Sequence, residues 1–418
     1  MSFTANIFDN KNDKTHDVAA ASDPVNAYTF RDVLSQAEFE TLAHDWRALE
    51  GLSGSVHAFQ SHGWCRVWLE EHVFCDQPDY QSRVVAVRRP DGALAAVFPF
   101  CQRVGSSMAM VEWLGEPLIQ YGDILLHPGA NHAAVRTALM TAIEGWPVVG
   151  GLRLGKVRAD AQVHAILDLK NAAVAAQQEA AIVDLSTYTT FDDYQATQSG
   201  RSRKNRRKRR RQLAERGEVT FDVLTPGPQA HAACNQALEW KLAWLDARGL
   251  TSRAFADKRA LACLHSMSDA PDSGLVVFRL SVDGKPVAIE VSFQDGDNIY
   301  AYLGSYDESL DYLGVGKMQM EDTIAHAIAN GMQSYDLLAP MCEYKECWSN
   351  RRVAVQDYAV PLDLGGAIYV HGYLRTLRPL ARKAYDNAPL PLKRAATWLV
   401  AQRYRRRATP AMDGALAS

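Results

Sequence analysis

Glycines that close a strand and open a helix leave backbone N–H groups free to cradle a phosphate, and the helix dipole adds to that attraction. The run Asp311-Tyr312-Leu313-Gly314-Val315-Gly316-Lys317 has this form, so Gly314, Val315, Gly316 and Lys317 are the candidate phosphate-binding residues. Two familiar phosphate loops do not fit. A Walker A loop needs Gly and Ser/Thr where this chain has Asp311 and Met318, and a dinucleotide fingerprint needs a third glycine. Glu290 is the second chemical signal. It lies mid-strand between Ile289 and Val291, where a carboxylate is expensive unless it finds a partner. A raised pKa there would suit a base, and an outward-facing strand position is the competing reading.

The elements that must position these residues alternate helix-like and strand-like segments from Tyr28 onward. Phe30–Leu49 carries Val33, Leu34, Ala37, Leu42, Trp46 and Leu49 at helical spacing, and a second helix is expected over Gln60–His72. A hairpin follows: Val84–Val87, a turn at Asp91-Gly92, then Leu94–Phe100. A similar one recurs at Leu275–Val282, Asp283-Gly284 and Pro286–Phe293. The offset is 192; Val84, Val85, Asp91, Gly92 and Ala96 repeat as Val276, Val277, Asp283, Gly284 and Ala288. Asp-Gly turns are common hairpin chemistry, but an offset near half the chain suggests a duplicated α+β unit. In the second half, Ala181–Leu185 and Val219–Leu224 read as strands. Thr190–Gln198 reads as a helix running on into a basic stretch, and Gln229–Arg248 as a long amphipathic helix on Leu238, Leu242 and Leu245. Asn298–Ser305 reads as a strand, Gly316–Asn330 as a helix stopped by Gly331, and Ser334–Leu338 as a short strand.

Composition narrows the class. The 418 residues are 47% hydrophobic and 22% charged, an ordinary globular balance that implies two or three domains. The longest apolar run, Ala93 to Cys101, is too short to span a bilayer, and the polar amino terminus is no secretory signal. Seven cysteines without a C-x-x-C pair argue for reduced thiols and against a structural metal, so no metal ligand is expected. The net charge of −3 conceals an asymmetry: residues 201–211 hold nine Lys/Arg and no acid, and residues 375–407 hold ten against Asp386 alone. Outside these runs, 26 bases face 47 acids. Two cationic zones on an acidic body point to phosphate or an anionic surface.

The spacing x-x-G-x-G ahead of a helix resembles the pyrophosphate loop of GNAT-superfamily acetyltransferases. The order of features around it is similar to the FemAB-like group that includes the CelD-like acyltransferases of cellulose biosynthesis. That order is a D-G hairpin, a strand ending in Tyr306-Asp307, the glycine loop, a helix, a short strand, then Tyr344-Lys345 and Trp348. The basic segment RSRKNRRKRRRQLAERGEVTF resembles the opening of that domain. The resemblance covers about 181–360, with 25–180 as a degenerate first GNAT-like unit, 1–24 as a disordered tail and 361–418 as a basic amphipathic segment. It implies a mixed α+β fold of tandem GNAT-like units, each a mostly antiparallel sheet with flanking helices. Where that loop usually begins with Arg or Gln, this chain has Asp311. Cofactor contact must then rest on the backbone of 314–317 and Lys317.

What the resemblance implies chemically is attack of a primary amine on an acyl thioester, with acyl-CoA or an acyl carrier protein as donor and no bound cofactor. Such a reaction needs a base, an oxyanion donor and an acid for the thiolate. Lys345 is the candidate donor, Tyr344 the candidate acid, and Asp307 and Glu290 candidate bases. The competing readings are a solvated Lys345, a packing Tyr344 and a turn-capping Asp307. The acid-free basic run fits an anionic cofactor or lipid headgroup, and lacks the aromatic residues that nucleic-acid stacking would use. Leu392–Tyr404 forms an apolar face with Trp398 amid Lys and Arg, suited to a membrane interface or to docking on the acidic body. Relatives in that branch include enzymes similar to bacterial ceramide synthases, and with the basic amphipathic tail this resemblance implies a cytoplasmic bacterial N-acyltransferase, peripheral at the inner membrane, that acylates a sphingoid base to a ceramide-type amide. The alternatives are an amino-sugar N-acetyltransferase, a FemAB-type aminoacyl-tRNA-dependent ligase, and a non-catalytic membrane or nucleic-acid adaptor.

Overall fold

Asp283 and Gly284 take φ of +49° and +72°, the left-handed pair that a tight hairpin turn of the right twist requires. This turn sits at the centre of the unit Ala180–Arg352, one of two into which the chain divides; the other comprises 27–179 with 353–387. The computed structural model describes residues 27–53, 58–106, 108–250 and 252–389. The expected disordered tail and the Leu392–Tyr404 helix lie outside the described residues.

The unit Ala180–Arg352 begins within β1 (Ala173–Asp184) and continues with α1 (Phe191–Thr197), α2 (Gly200–Ala214), β2 (Val219–Leu224), α3 (Pro228–Ala247) and α4 (Lys258–Asp269). There follow β3 (Leu275–Val282), β4 (Lys285–Asp295), β5 (Asn298–Tyr306), α5 (Val315–Ala329), β6 (Ser334–Asp336) and α6 (Glu343–Glu346). The strands lie in the order β2-β3-β4-β5-β6-β1. All neighbours are antiparallel except β5 and β6, which run parallel. That parallel pairing is brief: it covers Asn298–Tyr300 against Ser334–Asp336 and then stops, leaving the rest of β5 unpaired on that side.

Helix α5 covers the sheet. Ile324, Ala327 and Ile328 pack with Val276, Phe278, Ile299 and Tyr335, while Val315 and Met318 pack with Leu280, Val287 and Ala288. The basic stretch is not one continuous helix with α1. Gln198 and Ser199 are extended, and the Ser199 hydroxyl accepts the Ser202 N–H to start α2 afresh. One face of α2 then docks on α5: Arg206 pairs with Glu321 at 3.0 Å and Arg210 with Asp322 at 2.6 Å, and Leu213 is buried.

The unit 27–179 with 353–387 contains an antiparallel sheet in which Thr29–Val33 pairs with Val84–Arg88, and that strand with Leu94–Phe98. Its core holds the fully buried Trp46, Trp64, Trp68 and Trp113. The single helix expected from Phe30 is corrected. Phe30–Val33 is strand, because it finds a partner in the hairpin, and a capping box of Ser35 and Glu38 starts the helix at Gln36. Both units thus repeat one order, a strand followed by helices and a hairpin whose first arm pairs back onto that strand. The fold is mixed α+β, as the sequence suggests.

Candidate active site

Where β5 leaves β6, a cavity of about 600 Å³ opens within the unit Ala180–Arg352. This is a size typical of small-molecule sites. At its buried end stands Glu290 on β4, 3% exposed and facing Gly304 across the β4–β5 ladder. The hydroxyl of Tyr335, on β6, donates to Glu290 Oε2 at 2.6 Å, and Ser292 Oγ donates to Oε1 at 2.8 Å. Burial pushes the Glu290 carboxyl above its ordinary value, and these donors offset only part of that shift. Each carboxylate oxygen has two lone pairs, so both remain able to take a further proton donor. Burial also pushes the Tyr335 phenol well up, so it stays a donor.

The glycine loop forms another wall. Gly314 caps α5 in the left-handed region, at φ +68°, and its carbonyl accepts the N–H groups of Lys317 and Met318 at 3.0 and 3.2 Å. The amides ahead of these, of Val315 and Gly316, have no acceptor within the helix and are available to an anion. Larger residues in the loop would push its neighbours aside. A Cβ at Gly314 would meet Arg209 Nη1 at 2.9 Å, and one at Gly316 would meet the Tyr306 ring at 3.1 Å. Arg209 and Lys317 both line the cavity. Asp311, which stands where the resembling loop usually has Arg or Gln, also lines the cavity and accepts a hydrogen bond from the Tyr306 hydroxyl at 2.8 Å.

The third wall is the second half of α3, which has left the core. Trp240, Lys241 and Trp244 line the cavity. The Lys241 ammonium lies 4.6 Å from the Trp244 ring centre, and the Arg248 guanidinium 4.4 Å from it. Burial lowers the Lys241 pKa, and Arg248 adds to that shift.

Five of the eight candidate residues meet in this cavity: Glu290, Gly314, Gly316, Lys317 and Tyr344. Burial raises the Tyr344 phenol to about 12, with Cys342 and Glu290 adding to it. Val315 turns its side chain into the core below the loop. The other two are employed elsewhere. The Lys345 ammonium donates to the carbonyls of Leu338 and Pro340 at 2.9 and 3.0 Å, tying down the chain after β6. Burial lowers its pKa. Asp307 caps the turn that follows β5, its Oδ1 accepting the Ser309 N–H at 2.9 Å. Trp348 packs in the core beneath Arg206, whose guanidinium lies 5.0 Å from its ring centre. Sequence reasoning missed Tyr335, Ser292, Gly304 and the α3 tryptophans. The one available signal was the i, i+4 spacing of Trp240 and Trp244, overlooked beside the leucines of the same helix.

Residues 200–346 match the model of an acetyltransferase (GNAT) domain. No curated protein matches the chain. Among solved structures, FemX is similar with a TM-score of 0.55 at 12% identity, covering 81% of this chain and 98% of that one. L-PGS from Bacillus licheniformis gives 0.49 at 12% identity, covering 91% and 100%. A tandem GNAT protein from the clavulanic acid biosynthesis pathway gives 0.43 at 11% identity, covering 80% and 99%. At such identities FemX bears on the fold alone, and it does so across both units.

Proposed function

We propose that the unit Ala180–Arg352 is an N-acyltransferase that moves an acyl group from a thioester, acyl-CoA, to a primary amine. One observation carries the reading: a buried, hydrogen-bonded carboxylate with a raised pKa shares a cavity with a glycine-opened helix start flanked by Arg209 and Lys317. The helix start and the two cations hold the donor's pyrophosphate. Glu290 takes a proton from the amine as the N–C bond forms, and the C–S bond breaks to release a thiolate. The Tyr344 phenol, protonated at neutral pH, supplies the thiolate's proton and regains one from solvent, as Glu290 gives up to solvent the proton it took. The products are one amide and one thiol. Lys345 and Asp307 take no direct part.

The acceptor we favour is a sphingoid base, giving a ceramide-type amide. Apolar and aromatic walls support it, with Trp240, Trp244, Met320 and Leu337 lining the cavity. Contact with an anionic membrane would suit such an acceptor. Among the described residues no helix is long and apolar enough to cross a membrane. The segment 364–386 nonetheless exposes Leu364, Ile368, Leu377 and Leu380 beside Arg375, Arg378 and Lys383, a pattern suited to lying on one. The second reading is N-acetylation of an amino sugar, which the tryptophan faces could equally stack against. Acetyl- and palmitoyl-CoA, each offered with sphinganine and with glucosamine, separate the two when products are read by mass spectrometry. A long-chain amide of sphinganine supports the first reading, and acetylation of glucosamine alone supports the second. Absence of thiol release in all four mixtures would overturn the assignment.

A further inference from the structure

Gly304 has no evident reason to be glycine. Gly314 needs a left-handed φ and, like Gly316, lies against a neighbouring side chain. Gly304 stands inside strand β5 without a left-handed φ, and a Cβ placed there meets no heavy atom within 4 Å. Glycine inside a strand weakens it by roughly 0.5–1 kcal/mol against alanine, and here the cost secures neither a turn nor a close approach of backbone. It secures empty space.

That space lies beside the base. Gly304 and Glu290 are direct partners across the antiparallel β4–β5 ladder, so they share a face of the sheet. Side chains at such positions stand about 4.5–5.5 Å apart at Cβ. Both residues line the cavity. The nearby wall is free of cations: the buried Tyr335 and Leu337 and the half-buried Ala301 complete it, whereas Arg209, Lys241 and Lys317 stand at other walls. A primary amine finds there the Glu290 carboxylate and, over the exposed Gly304, open space beside it.

We propose that the space over Gly304 is the acceptor-amine subsite, and that Gly304 determines specificity by admitting a substituent on the amine-bearing carbon. The substrate class is a primary amine on a branched carbon, with its body against the apolar wall. The proposal rests on the acyl-transfer reading above, and its test separates the two.

The probes are 2-aminooctane, branched at the amine-bearing carbon, and its unbranched isomer 1-aminooctane, each acylated from palmitoyl-CoA by wild type and by Gly304→Ala. One methyl group in an apolar pocket discriminates by about 10–200-fold. Gly304→Ala should therefore lower kcat/KM for 2-aminooctane at least about tenfold more than for 1-aminooctane. Its CoA affinity should match the wild type and its melting temperature should equal or exceed it, because nothing at that site is displaced and alanine favours the strand. Equal losses for both amines, no loss for either, or a wild type that acylates 1-aminooctane and refuses 2-aminooctane would overturn the subsite. Wild-type enzyme that forms no amide from these or any other amine would overturn the acyl-transfer reading itself.

Discussion

Replacing Glu290 by Gln removes a proton acceptor while keeping the side chain's shape. The glutamine can still meet Tyr335 and Ser292, since both hydroxyls accept as well as donate. A positioned general base contributes about 10²–10⁴-fold to rate, or roughly 2.7–5.4 kcal/mol of barrier. Glu290→Gln should lose that much kcat, with the KM for acyl-CoA little changed, because the pyrophosphate-binding loop is a separate wall. The pH profile makes the test specific. Wild-type kcat/KM should rise through an acid limb set by a pKa above the ordinary 4.5 of a glutamate, since burial holds the proton on. The variant's residual rate should lack that limb. Stability should move the opposite way. Below pH 4.5 the carboxyl is protonated in both folded and unfolded chains and costs nothing. As pH rises toward and through the raised folded pKa, the unfolded chain ionises more readily and the native state loses ground. Glu290→Gln should therefore melt above the wild type at pH 8, with the gap narrowing toward pH 4. Thiol release between pH 5 and 9, with melts at pH 4 and pH 8, gives all three readouts. Activity within threefold of wild type, or an unchanged acid limb, would refute Glu290 as the base.

Lys345→Met should be a stability variant: it leaves the Leu338 and Pro340 carbonyls without their buried donor, at roughly 1–3 kcal/mol each. Denaturant melts should show the loss, with an unchanged pH profile for the enzyme that remains folded; a fully stable but inactive Lys345→Met would return the ammonium to the chemistry. Gly314→Val should cost about 1–2 kcal/mol for its left-handed φ and displace Arg209, weakening CoA binding by calorimetry more than amine binding. Arg206→Ala should destabilise by about 3–5 kcal/mol, because Glu321 would be left buried with its cation gone. Arg201→Ala, on the solvent-facing side of the same helix, should stay within about 0.5 kcal/mol in the same denaturation assay.

Local chemistry was legible in the sequence wherever it was self-contained. The Asp283-Gly284 turn, the helix opened by Gly314 and the strand bearing Glu290 each rest on a few neighbouring residues whose preferences agree. What eluded it depends on partners far along the chain. Phe30–Val33 has helical spacing and is strand only because Val84–Val87 lies alongside it. Glu290 stood out as a costly buried acid, but its Tyr335 partner lies on a strand 45 positions away. Lys345 and Tyr344 look alike from sequence. A short helical turn sends one into backbone carbonyls and the other to the cavity. The basic run reads as uniform charge, yet its 3.6-residue period puts Arg206 and Arg210 against acids of α5 while Arg209 reaches the glycine loop.

The central claim is that one cavity brings a thioester and an amine together. Its most direct test counts products: purified protein is given palmitoyl-CoA labelled at the carbonyl carbon, with and without sphinganine. Thiol and amide are then measured from the same tube. The account predicts thiol release that depends on the amine, equals the amide mole for mole, and puts the label in the new amide carbonyl. Thiol released equally without amine, or no thiol under either condition, would contradict it.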